Sequence, residues 1–311
     1  PAFTDESSIG FRNGGWDSEI EGIWVAKFEA GYASGGNTAE VKASSVNYTQ
    51  TSVWSPAVEN GTSAEGSLSA RNWLDGIYGE TETKIKYPTF QGSTYSMNYI
   101  STGDAYNISK ALTESGNIYG LTSDVDSHMM KNSEWGACSY LTQSKYGVYD
   151  KEIAINNHNE NSGGTSQTKA EGNSLASVYA VTGYNNSGKK WNEYLGEDES
   201  PSSTGNIYGI YDISGGVWER TAGYINNGNE NLSKYGSSYV TGTSNKYSTI
   251  YPYSDEGAND TEREKNNYAL NTKIYGDAIR ETSTDGTGNT SWHGDFSYYA
   301  RSSIPFFMRG G

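Results

Sequence analysis

The 311-residue chain holds one cysteine, Cys138, and three histidines, His128, His158 and His293. A lone thiol cannot close an internal disulfide, and neither it nor the histidines fall at metal-ligand spacing, which excludes a zinc site and a disulfide-stapled scaffold. Basic residues are scarce as well: 22 Lys and Arg face 37 Asp and Glu, for a formal net charge of −15. That balance repels phosphate backbones and anionic headgroups, so nucleic acid and membrane surfaces are poor partners. No run of about 18 apolar residues offers a membrane span. Aliphatic residues are few, since only 34% of the chain is hydrophobic, yet 13% is aromatic and 26 residues are Tyr. The core must therefore be rich in aromatic rings, in a chain long enough for one large or two ordinary domains.

Low charge density (19%) and abundant Ser, Thr, Asn, Gly and Tyr suggest an exported or virion-surface protein, as does a mean hydropathy of −0.74. The sequence opens at Pro1-Ala2-Phe3 without an initiator Met, so a mature or trimmed product is expected.

Along the chain, Gly22 to Glu29 reads as a sheet strand with Trp24, Ala26 and Phe28 on one face. A first helix is expected from an Asp104 N-cap, with Ala105, Ile108 and Leu112 as its stripe and Gly116 just past its end. A second runs from about Asn132 to Tyr146, with Trp135, Cys138 and Thr142 facing inward and Gly147 as its stop. Gly116-Asn117-Ile118-Tyr119-Gly120-Leu121 and Gly205-Asn206-Ile207-Tyr208-Gly209-Ile210 are near copies, too few for a solenoid, and read as two Gly-flanked turns. Apolar density returns at Tyr298, Tyr299, Ile304, Phe306 and Phe307 before Arg309-Gly310-Gly311.

Several of these segments, in order, carry a resemblance. Tyr208-Gly209-Ile210-Tyr211-Asp212-Ile213-Ser214-Gly215-Gly216-Val217-Trp218-Glu219 is close to Tyr-Gly-Leu-Tyr-Asp-Met-Ser-Gly-Asn-Val-Trp-Glu of the formylglycine-generating enzyme (sulfatase-modifying factor) branch of the C-type lectin fold, with Gly216 replacing Asn. Gly22 to Glu29 resembles that family's opening strand, Asp104-Ala105-Tyr106 its first helix, Glu134-Trp135 the close of its second helix start, and Met308-Arg309-Gly310-Gly311 its Arg-Gly-Gly segment. The same segments resemble exported pilin-like and phage-displayed proteins that use this scaffold for binding, some diversified by retroelements. The resemblance implies a single α+β domain of C-type-lectin-like fold over 1–311, a short twisted antiparallel sheet with two helices and long ordered loops. It also implies insertions at about 31–100, 148–204 and 221–296 and the absence of the family's last strands. The implied function is extracellular or virion-surface ligand binding or adhesion, to a cell-surface protein or glycan. The alternatives are a structural subunit of a pilus, filament or virion, and a formylglycine-generating-type oxidase.

The oxidase chemistry needs a pair of cysteines, and one is present, so no enzyme activity and no catalytic residue are expected. Cys138 fits a small core residue. Glu134 suits a helix's first turn and Trp135 a core. In the resembling family the 208–219 loop binds structural calcium, for which Glu219 would supply a carboxylate; a plain Trp218-centred turn is the other reading. Trp292, Tyr298, Tyr299 and Tyr253 are candidate ligand contacts, because Tyr and Trp give large rigid contact area. The competing reading is that they replace missing aliphatics in the core.

Overall fold

The computed structural model describes residues 21–32, 88, 90–92, 95–96, 102–115, 117, 119–156, 199–216, 219–236, 240, 245–271, 276–283, 299–300 and 302–310. They form an α+β arrangement around a short mixed sheet. Strand β1 (Gly31–Tyr32) pairs antiparallel with β2 (Tyr95–Ser96), and helices α1 (Thr102–Ala111) and α2 (Asn132–Thr142) follow. Strand β3 (Glu219–Ile225) is the centre of the main sheet. Beyond it come β4 (Thr249–Tyr251), α3 (Asp260–Asn271), the single-turn α4 (Ile279–Thr282) and β5 (Phe306–Arg309).

The sheet order is β4-β3-β5, with β4 parallel and β5 antiparallel to β3. The expected short antiparallel sheet is met at the β3–β5 pair, whereas β4 departs from it by running parallel to β3. The β3–β5 register slips between Arg220 and Tyr224, a bulge that adds local twist.

Alternate residues of a strand face opposite ways, and here both faces are buried. On one, Ala222, Tyr224 and Phe306 pack with Tyr106 of α1, Met129 and Leu232. On the other, Ile225, Tyr251 and Phe307 pack with Tyr268 of α3, Ile279 of α4, Tyr299 and Ala300. A strand covered on both sides needs consecutive apolar residues, and Phe306-Phe307-Met308 supplies them.

Helix α2 matches its expected stripe: Trp135, Cys138 and Thr142 are all buried. Glu134 reaches back to accept the Lys131 backbone N–H at 2.9 Å, capping the helix as well as complementing its dipole. The helix stops at Thr142, short of Tyr146, because the Val148 and Tyr149 N–H groups both donate to the Thr142 carbonyl at 3.0 Å. Gly136 lets α2 lie directly against the backbone of Gly276 and Asp277, where any Cβ would collide. Helix α1 starts at Thr102, two residues before the expected cap. Gly22 to Glu29 does not form the expected strand. Trp24 is fully exposed and Ala26 exposed, and only Phe28 of the supposed inner face is buried, its ring 5.1 Å from that of Tyr211. The Lys27 carbonyl accepts the Tyr211 N–H at 2.8 Å, which docks this segment onto 211 without a ladder.

Candidate binding surface

Two kinds of site compete for attention, a buried polar network and an exposed set of rings. The network centres on Arg309, which is 1% exposed. Its guanidinium lies 4.1 Å over the Trp135 ring and donates to Asn132 Oδ1 at 3.3 Å and Thr282 Oγ1 at 3.2 Å. Thr221 Oγ1 donates to the same Asn132 oxygen at 2.7 Å. Asn132 Nδ2 donates to the Tyr251 hydroxyl at 3.0 Å, and that hydroxyl donates to Asp277 Oδ2 at 2.9 Å. Burial pushes the Asp277 carboxyl up to about 6, with the Arg309 charge pulling the other way. Every member is buried, so this set ties β3, β4, β5, α2 and α4 together and offers no approach to a substrate. Cys138 is equally inert, its thiol pushed up to about 12 by burial first and the Glu134 charge second.

A second cluster has exposed rings near it in sequence. Trp135, Cys138, Ile153, Ile213 and Ala278 form its buried part, and Val25, Val148 and Ile210 are among its half-buried rim. Close to those three rim residues in sequence are aromatic side chains in solvent: Trp24, Tyr146 (71% exposed), Tyr149 (67%) and Tyr208 (88%). The loops that carry them are pinned. Ala154 N–H donates to the Ser200 carbonyl at 2.9 Å, and Ser203 N–H to the Ile210 carbonyl at 2.9 Å. Asn206 Oδ1 accepts the Tyr208 N–H at 2.9 Å, an Asx turn matched at Asn117, whose Oδ1 accepts the Tyr119 N–H at 3.0 Å. The two near-copies are thus turns of one kind. A Cβ on Gly205 would lie 3.1 Å from Val148 Cγ1, so the two loops are in contact.

Tyr149 adds backbone strain. Its φ is +63°, the left-handed region that a bulky residue seldom occupies. The two bonds to the Thr142 carbonyl hold it there while its ring remains in water. Strained residues of this kind cluster at ligand contacts and switches.

Of the ligand contacts named from sequence, Tyr299 and Tyr253 fall among the described residues. Tyr299 is 3% exposed, with its ring 4.8 Å from Phe307 and 6.2 Å from Tyr251, and so takes the core role. Tyr253 is half-buried against that cluster and donates its hydroxyl to Asp255 Oδ1 at 2.9 Å. Trp292 and Tyr298 lie outside the described residues, as does Trp218. Glu219 stands in register with Arg309, its carboxylate packed on the backbone of Gly310. Among the described residues no three His, Cys, Asp or Glu side chains converge as metal ligands do. The calcium expected at the 208–219 loop would be held by backbone carbonyls together with Glu219, and Val217 and Trp218 of that loop lie outside the described residues. The exposed tyrosines were missed because they fall in turn segments, at Tyr146-Gly147 and Tyr208-Gly209. The available signal was that position, a large ring beside a turn glycine.

Comparison with protein-family models and with curated proteins found no match to this chain. Among the described residues no helix is long and apolar enough to cross a membrane.

Proposed function

We propose that this chain is a non-enzymatic ligand-binding or adhesion module of a cell or virion surface, built on a C-type-lectin-like scaffold. It engages a cell-surface protein or glycan through the loops at 143–150 and 203–210. The observation that carries this reading is Tyr149, an exposed aromatic ring on a strained backbone that helix α2 holds in place. A loop under selection for stability alone would place Gly or Asn in the left-handed region. Tyr208 on its Asx turn and Tyr146 are also exposed and offer rigid, amphipathic area.

The test is binding of the full chain to arrays of cell-surface glycans, to purified surface proteins and to intact cells, beside a variant carrying Tyr146→Ser, Tyr149→Ser and Tyr208→Ser. The expected result is saturable binding that the variant loses while its melting temperature stays within a few degrees of the parent. Binding that survives all three substitutions moves the site away from these loops. Self-association abolished by the same changes, without binding to any foreign surface, would favour a filament or virion subunit.

A further inference from the structure

His128 stands between two acceptors. Its Nε2 is 3.0 Å from Glu134 Oε1 and 3.2 Å from Oε2, and its Nδ1 is 3.1 Å from the Asp126 carbonyl oxygen. A neutral imidazole carries one N–H and one lone pair, so it can serve one of these partners and must turn a lone pair toward the other. An imidazolium donates to both. The side chains of His128 and Glu134 are only 10% and 6% exposed, which leaves little room for water to repair a lost bond.

The surroundings tie this ring to a second segment. Asp126 Oδ1 is 3.7 Å from His128 Nδ1, while its Oδ2 holds Lys246 Nζ at 2.5 Å, from the tight turn Asn245–Tyr247. The Tyr247 ring of that turn lies 5.5 Å from the His128 ring and packs at the rim of the α1-side core. Other charged groups face the cluster from each side. Lys131 Nζ at the α2 cap is 3.9 Å from Glu134 Oε1, and Lys110 of α1 lies 5.0 Å and Lys246 5.2 Å from the Tyr247 ring centre. Tyr106 of α1 feels both Tyr247 and Asp126. Burial pulls the His128 pKa down, but the Glu134 hydrogen bond and charge, followed by the Asp126 carbonyl and carboxylate, carry it above the usual 6.5.

We propose that His128 is a pH-operated clasp: as an imidazolium it ties the Asp126 loop to the first turn of α2, and its deprotonation frees that loop and the Asn245–Tyr247 turn anchored to it through Lys246. The turn leads directly into β4, an outer strand of the described sheet, so opening loosens the start of that strand as pH rises. The sign follows from linkage. A group whose folded pKa is raised contributes fully below its unfolded value and loses that contribution as pH climbs through the folded value.

With three histidines in the chain, imidazole nitrogen NMR on the intact protein resolves each ring from about pH 5 to about pH 9. His128 is assigned by the signal lost in His128→Gln. Both its nitrogens should be protonated near pH 6, with a midpoint above 6.5. Hydrogen exchange at 245–251, corrected for intrinsic rates, should lose about tenfold protection across that midpoint. Lys246→Ala, a half-exposed position that leaves the core intact, should lower that protection at every pH without moving the His128 midpoint far. A singly protonated His128 at pH 6, a midpoint below 6.5, or protection that is constant through the midpoint would overturn the proposal. So would full protection in Lys246→Ala.

Discussion

Substituting Tyr149 separates backbone strain from ring contact. Tyr149→Ala and Tyr149→Gly both delete the ring, so the loss of its partial burial cancels between them. What remains is the backbone at φ +63°. A Cβ in the left-handed region costs roughly 1–2 kcal/mol, which Gly escapes. Glycine in turn forfeits about 0.4–1 kcal/mol through the larger entropy of its unfolded chain. The balance makes Tyr149→Gly more stable than Tyr149→Ala by about 0.5–1 kcal/mol, the reverse of the ordinary order. In thermal unfolding that is a gap of roughly 1–3 °C for a domain of this size. Chemical denaturation with an unchanged m-value gives the same quantity independently. Both variants should lose ligand binding to a similar extent, because both lack the ring. If Tyr149→Ala equals or exceeds Tyr149→Gly in stability, the strain is absent and the inference drawn from it falls.

Trp135→Ala should cost about 3–5 kcal/mol, since it empties a core position and removes the platform under Arg309; a denaturant midpoint near that of the parent would contradict the packing. Gly310→Ala places a Cβ on the Glu219 carboxylate at φ +64° and should destabilise by about 1–3 kcal/mol in the same assay. The Cys138 thiol should resist a thiol-specific reagent in the native protein and react on unfolding, whereas fast native labelling would mean that α2 opens readily. For Asp277 the raised carboxyl binds its proton more tightly folded than unfolded. Stability should therefore rise by up to about 3 kcal/mol as pH falls from about 6 toward 3.8, and Asp277→Asn should flatten that slope.

Periodicity revealed α2 through Trp135 and Cys138, two apolar residues in a buried set that also holds Asn132, Glu134, Ser139 and Thr142. Helix α3 keeps the same spacing with Glu264, Asn267, Tyr268 and Asn271 on its buried side, and a hydrophobic pattern cannot display a polar stripe. Within the 221–296 stretch, β4, α3 and α4 contribute to the core. The opposite error arose at Gly22 to Glu29. Its alternation suits a strand, but no partner ladder forms, and Trp24 is left in water. Alternation reports what a strand would bury and says nothing about whether a neighbour is present. Two-sided burial of β5 was legible in the bare run Phe306-Phe307-Met308.

The tyrosines divide by what happens to the hydroxyl. A core that uses Tyr in place of Leu carries an O–H inside, and a buried hydroxyl without a partner is costly. Tyr251 hands its proton toward Asp277, and Tyr268 donates to the Ser283 carbonyl at 2.6 Å. Those needs account for polar groups where an aliphatic core would have none: Asn132 and Asp277 serve Tyr251, and Arg309 offsets the Asp277 charge. Composition therefore forced a polar interior, which in turn fixes strand register, because Asn132 must meet Thr221, Tyr251 and Arg309 from three strands at once. Tyr146, Tyr149 and Tyr208 stand outside this constraint, with rings in solvent. At those positions the fold gains little from a tyrosine over a serine, and at 149 it bears a Cβ strain that glycine would relieve. Under the proposed binding role a contact made outside the chain supplies the reason, and a serine at each position should leave folding nearly untouched while removing that contact.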